Sequence, residues 1–159
     1  MRRKDKCISD SDEIEEILSS AKIGRLGTSC NDKPYITPLN FVYTKGKILL
    51  HSANSGHKLD NIRANANVCF EVEDVGSPVI KEPICASTVL YRSVIIFGTI
   101  HILPDKSEKI KALKQLVEKY TGKPFLGSFT DSILGRVVVL EITIEEMTAK
   151  MSPAKPISM

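Results

Sequence analysis

The sequence predicts a mainly β, α+β domain: an antiparallel sheet rolled into a small closed or split barrel, with helices at its periphery. Three observations lead there. Most strand-like segments follow one another through connections too short to hold a crossover helix, which argues against a doubly wound parallel sheet. The longest strand-like run, residues 88–103, holds Gly98 in its interior, the mark of a bulge or a barrel corner. And 159 residues, 42% hydrophobic and 26% charged, suit one globular domain with a real core and exclude disordered and fibrous classes.

The elements follow in order. Residues 11–21 place Ile14, Ile17, Leu18 and Ala21 on one helical face, with Asp10 or Ser11 as N-cap and acidic residues in the first turn. Residues 22–29 alternate as a strand weakened by Gly24 and Gly27, and residues 31–34, Asn-Asp-Lys-Pro, turn the chain. Residues 35–43 are β-branched and aromatic, with Pro38 marking an edge, a bulge or a break. A hairpin turn at 44–47 leads into a strand over 47–52. Asn54-Ser55-Gly56 introduces a short helix over 56–64, which Asn65-Ala66-Asn67 ends. Residues 68–72 are a strand, and 73–83, polar with Gly76, Pro78 and Pro83, read as a loop or frayed edge. After the long strand, residues 105–120 are helical, with Ile110, Leu113, Leu116, Val117 and Tyr120 at helical spacing, stopped by Thr121-Gly122-Lys123-Pro124. Residues 136–144 form a final strand. Residues 1–150 are expected as one domain and 151–159 as a C-terminal tail.

Charge and composition bound the partners. Twenty-two basic against 19 acidic residues leave +3, too little to argue for nucleic acid. The basic start, residues 1–6, runs into Ser9 to Glu13 rather than an apolar stretch, so no secretory signal is expected. No run approaches the ~18 apolar residues of a membrane span. The four cysteines, Cys7, Cys30, Cys69 and Cys85, form no CxxC pair, so buried, reduced thiols in a cytoplasmic protein are expected and no metal site.

The chemistry is concentrated between Tyr35 and Phe70. At Asn54-Ser55-Gly56-His57-Lys58 a helix start offers free N–H groups, Ser55 a hydroxyl, Lys58 a charge, and Gly56 close backbone approach. That set suits a phosphate dianion without being a P-loop; an exposed lysine near a helix start reads the same way. A strand interrupted at Pro38 frees backbone groups for the edge of a planar heterocycle, with Asn40 adding a donor and an acceptor, or is a plain edge strand. His51, at the end of an apolar strand, is either a proton donor or a structural residue. His57 faces solvent or assists Lys58. Arg92 requires a carboxylate, a phosphate or a subunit interface if buried, and none of these if it faces water.

Met-Arg-Arg-Lys-Asp at 1–5, Pro-Leu-Asn-Phe at 38–41, His-Ser-Ala-x-x-Gly-x-Lys at 51–58, Val-Cys-Phe-Glu-Val at 68–72 and Ser-Val-Ile-Ile-Phe-Gly at 93–98 together carry a resemblance. The chain resembles the pyridoxamine-phosphate-oxidase-like, flavin-binding split-barrel family, and most of all its nitroimidazole-resistance (Nim) branch. The resemblance implies a six-stranded antiparallel split barrel that forms a homodimer, with FMN in each of two interface clefts. Thr37, Pro38, Leu39 and Asn40 would line the isoalloxazine. His51, Ser52 and Ala53 would follow the ribityl chain and phosphate, and Lys58, with His57 beside it, would pair with the phosphate. Arg92 and Ser93 would lie near, by way of either subunit. His51 matches the active-site histidine of the Nim branch and would give a proton to a small aromatic acceptor. The ending at 151–159, Met-Ser-Pro-Ala-Lys-Pro-Ile-Ser-Met, lacks the Arg-Leu-x-Pro motif of pyridoxamine phosphate oxidase proper, which argues against vitamin B6 oxidation. Some relatives bind haem or a deazaflavin, so a non-catalytic flavin or haem carrier, or a dimerising regulatory domain, stays open beside the oxidoreductase.

Overall fold

The computed structural model describes residues 4–152. The strands are β1 (Cys7–Ile8), β2 (Gly24–Cys30), β3 (Lys33–Leu39), β4 (Phe41–Thr44), β5 (Lys47–Ala53), β6 (Asn67–Val79), β7 (Thr88–Ile102) and β8 (Val137–Ser152). The helices are α1 (Ser11–Ser20), α2 (His57–Ala64), α3 (Lys106–Thr121) and α4 (Asp131–Arg136). All strand pairs are antiparallel, in the order β3-β2-β6-β7-β8-β5-β4, with β1 added to β8. This is the expected barrel with peripheral helices, built from eight strands rather than six.

Alternation along β5 shows how the sheet is buried on both faces. Ile48 and Leu50 turn into the barrel, where Phe41, Phe70, Leu140 and Ile142 meet them and α1 closes the end with Ile17 and Leu18. Leu49 turns outward and packs with Val139 against Ala112, Leu113 and Leu116 of α3 and Leu134 of α4. Caps define the helices as their sequences suggest. Asp10 accepts the Asp12 and Glu13 amides at 2.9 and 3.4 Å, Asp105 accepts the Glu108 amide at 2.9 Å, and Gly122 ends α3 in the left-handed region. Both short hairpins use paired positive-φ residues, Asn31-Asp32 and Lys45-Gly46. The β7–β8 register shifts between Phe97 and Gly98, and a Cβ at Gly98 would sit 2.0 Å from the Thr143 carbonyl oxygen, so the bulge requires glycine.

Several expectations are corrected. Residues 73–79 are not a loop: β6 continues to Val79 because β7 supplies the ladder, and Gly76 and Pro78 are absorbed by a register shift between Val75 and Pro78. Of the three readings of Pro38, the edge holds and the break does not. The residue lies in β3 opposite Arg25, on the outermost strand of that end of the sheet, where proline is tolerated, and the break falls at Asn40. The helix α4 was not anticipated. The final strand does not stop at 144: Met151 and Ser152 pair with Arg92 and Tyr91 inside the sheet. The rest of the expected tail, 153–159, and the basic residues 1–3 lie outside the described residues. The thiols are not uniformly buried, since Cys7 and Cys85 are exposed and Cys30 and Cys69 only partly covered. No helix among the described residues is long and apolar enough to cross a membrane.

Candidate functional site

The site begins where β5 runs out. Ser52 points inward and is buried, while His51 and Ala53 lie on the outer face, opposite Val139 and Val137 of β8. Asn54 then donates to the Gly135 carbonyl at 3.0 Å, pinning the following loop to α4. Gly56, at φ 125° and ψ 164°, is the N-cap of α2, a conformation closed to most side chains. No side chain caps this helix; the Gly56 carbonyl takes the Leu59 and Asp60 amides at 2.9 and 3.2 Å, and the amides before them have no partner within the helix. One buried and one part-buried side-chain amide fix where α2 points. Asn61 donates to Thr28 Oγ1 at 3.1 Å and Asn65 to the Ser29 carbonyl at 3.1 Å, both on β2.

The helix start opens into a groove of about 370 Å³. One wall is β3, with Tyr35, Thr37 and Leu39; the other is the end of β5, with His51, Ser52 and Ala53; Ser55, Gly56, His57 and Lys58 close the end. β3 and β5 are not hydrogen-bonded to each other, so the groove is the seam of the barrel. Tyr35 meets the His57 ring edge-on at 4.7 Å and holds it against the wall.

Three features of the groove are unsatisfied as they stand. Thr37 Oγ1 is buried and has no hydrogen-bond partner among the described residues. Lys58 is partly buried, which pulls its pKa down, and no carboxylate among the described residues pairs with it. The start of α2 has its free amides and positive dipole end. An unpaired, desolvated cation and an orphaned hydroxyl are each costly and are each relieved by an anionic, hydrogen-bonding ligand. The residues present therefore fit a phosphorylated group. His51 shares the electrostatics: desolvation, and then the charge of Lys58, push its pKa down, keeping the imidazole neutral near pH 7.

Beyond His51 lies a second cavity of about 400 Å³, between β5 and α3, lined by Asn40, His51, Leu113, Leu116, Val117, Tyr120 and Thr121. Helical spacing in the sequence places Tyr120 in the core of α3, but its hydroxyl is instead a clasp. It accepts the Phe41 amide at 2.9 Å and donates to the Lys22 carbonyl at 2.6 Å, with the Phe41 carbonyl at 3.2 Å. Beside it Lys119 donates to the Leu18 carbonyl at 3.2 Å with its ammonium 3.6 Å from the Phe41 ring centre; burial lowers its pKa to about 8. Nothing local in the sequence marks either contact.

Of the residues singled out from sequence, the groove gathers Thr37, Leu39, His51, Ser52, Ala53, His57 and Lys58. Asn40 faces the second cavity, and Pro38 lines neither. Within one chain Arg92 and Ser93 are not in the groove. The Arg92 guanidinium is taken by Glu16 at 3.2 Å and Asp74 at 2.9 Å, which tie α1 to β6, and Ser93 lines a separate polar hollow with Glu146, Thr148 and Lys150.

An antiparallel split barrel with an open, lysine-bearing groove along its seam defines the class of this protein. The chain belongs to the family described as pyridoxamine 5'-phosphate oxidase, which matches residues 10–151. A candidate 5-nitroimidazole antibiotic resistance protein from Bacteroides thetaiotaomicron is 28% identical, with a TM-score of 0.81 over 91% of this chain and 86% of that one. The flavocytochrome Anf3 of Azotobacter vinelandii (TM-score 0.84, 18% identity, 100% of this chain and 75% of that one) has the same fold. So does an FAD- and heme-binding protein of Mycobacterium smegmatis (TM-score 0.84, 18% identity, 97% and 77%). In sequence, an uncharacterized protein of Rhizobium meliloti is 23% identical over 97 residues, 61% of this chain and 57% of that relative's length.

Proposed function

We propose that the protein is a flavin-dependent oxidoreductase of the nitroimidazole-resistance type, binding FMN and reducing small aromatic acceptors, nitro compounds among them. The observation that carries the reading is the coincidence in one groove of an unpaired Lys58, an open α2 start and an orphaned Thr37 hydroxyl. Lys58 and the α2 amides would hold the phosphate, Ser52 and Ala53 would flank the ribityl chain, and Thr37 to Asn40 would meet the ring edge. A bound flavin supplies the electron transfer. The chain's own residues bind and orient it, and His51, neutral and hydrogen-bond competent at the groove's end, holds a proton within reach of an acceptor.

A second copy of the chain is part of this reading. Ile36 and Phe97, 65% and 48% exposed, lie at a hollow of about 600 Å³ on the outer face of β2, β3 and β6, an apolar surface suited to a homodimer. In a dimer the partner would complete the flavin cleft, and Arg92 and Ser93 would find their use there.

The absorbance spectrum of freshly purified protein, before and after adding FMN and removing excess, tests the proposal. A flavin spectrum retained on the protein supports it. A Soret band would replace it with a haem carrier, and no chromophore before or after would end it.

A further inference from the structure

We propose that the cavity between α3 and β5 is a binding site for a flat, uncharged ring and rejects rings that carry a phosphate or carboxylate. The inference deepens the reading of the neighbouring groove, since it names the class of acceptor, and rests on that reading only for which molecule the ring would meet.

The lining makes the case. Leu113, Leu116 and Val117 form an apolar wall on α3, and Tyr120 continues it. Asn40 and His51 are the polar groups at the β5 end, and no Lys, Arg, Asp or Glu among the described residues lines the cavity. Three charged neighbours on α3 are committed elsewhere: Glu118 accepts the Phe125 amide at 3.1 Å, Lys119 serves the Leu18 carbonyl, and Lys109 serves the carbonyls of Leu134 and Val137, while Lys114 is part-buried and is not among the lining residues. An anionic substituent entering here would shed its water and find no cation among the lining residues, a penalty the cavity is not built to offset. A neutral ring meets none of this. It would stack on Tyr120, pack on the leucines and use the neutral His51 and the Asn40 amide for one or two hydrogen bonds.

The cavity is also preformed. Three contacts at the Tyr120 hydroxyl, to the Phe41 amide and to the carbonyls of Lys22 and Phe41, hold that wall in place. Its volume, about 400 Å³, is that of a small-molecule site. His51 lines both this cavity and the anion groove, so the two ligands would share one wall. The separation of labour is the point: charge is read at Lys58, and shape without charge at α3.

Methyl-labelled full-length protein, with and without FMN, titrated with coumarin as a neutral ring and with pyridoxine 5'-phosphate as a charged one, decides it. Coumarin is expected to shift the methyl signals of Leu113, Leu116 and Val117 in both states, and pyridoxine 5'-phosphate at the same concentration to leave them unmoved. Val117→Phe, which fills the cavity, is expected to weaken coumarin about tenfold or more, on the scale of a misfitted apolar pocket, while FMN still binds. Silence of those methyls with coumarin would overturn the proposal, as would shifts with the phosphorylated ring, or displacement of coumarin by FMN, which would make this the flavin's own ring site. A change in oligomeric state with Val117→Phe, with no loss of coumarin, would assign the cavity to a second copy. Should Val117→Phe not fold, the wild-type methyl map still decides. If FMN fails to bind but coumarin shifts the three methyls, the flavin reading falls and this one stands.

Discussion

Tyr120, near the end of α3, accepts the main-chain amide of Phe41, the first residue after the break between β3 and β4, at 2.9 Å, and its hydroxyl reaches on to the Lys22 carbonyl at 2.6 Å. One oxygen thus ties a helix, a strand start and the α1–β2 connection together at the wall of the cavity. Removing it leaves a part-buried amide unpaired. Tyr120→Phe is expected to cost about 1–3 kcal/mol of stability, the range for an orphaned buried donor, measured by urea unfolding. It should also loosen coumarin and FMN together, because Asn40 adjoins the freed residue.

Lys58 separates binding from stability. With nothing to pair it, Lys58→Ala is expected to leave the flavin-free protein as stable as before or more so, since a partly desolvated cation is gone. FMN affinity should fall by about 1.5–3 kcal/mol, as for a lost charged hydrogen bond. Titration followed by flavin fluorescence and thermal unfolding of the apoprotein check the two halves.

Thr37→Val keeps the shape of the side chain and deletes the orphaned hydroxyl. The apoprotein is expected to gain about 1 kcal/mol or a little more, the burial penalty of an unpaired polar group. FMN should bind more weakly. A variant that is less stable without ligand would show that the hydroxyl has a partner in the protein.

His51 titrates below its ordinary 6.5 because it is desolvated and faces Lys58. The unfolded chain then binds its proton more readily than the folded one, so this residue's share of stability is intact above about pH 6.5 and is lost as pH falls toward the lowered folded value. His51→Gln should flatten that slope. In an NMR titration, the His51 midpoint is expected to rise in Lys58→Ala and on adding FMN, whose phosphate offsets the lysine.

Gly98→Ala would drive a methyl into the Thr143 carbonyl, 2.0 Å from the new carbon. A loss of about 1–3 kcal/mol, typical of overpacking, is expected in denaturant unfolding with the flavin affinity little changed, because the bulge sits away from the groove residues.

What could be read from the sequence was what is local. The bulge at Gly98, the hairpin at Lys45-Gly46, the capped start of α3 and the block from His51 to Lys58 each lie within a few residues of their cause. What escaped depended on distant partners. β6 runs through Gly76 and Pro78 only because β7 lies alongside. The partners of Arg92 are Glu16 and Asp74, far from it in the chain, and the Tyr120 hydroxyl works on residues of two other elements. The strand count and the position of the break at Asn40 rather than Pro38 were lost for the same reason. Propensity marks a proline, but only the neighbouring strands decide whether its missing N–H matters.

β8 borders three others: its first half lies between β5 and β7, and its second half between β7 and β1. The wall can therefore be sealed only once residues 137–152 have been synthesised, after all the other strands. Until Val137 and its followers emerge, β5 and β7 each offer an unpaired edge, and β1 has nothing to dock on. Nascent protein of this kind depends on its closing segment for protection from neighbours on the same polysome, so shortening that segment should first show as aggregation during synthesis rather than as slow turnover afterwards.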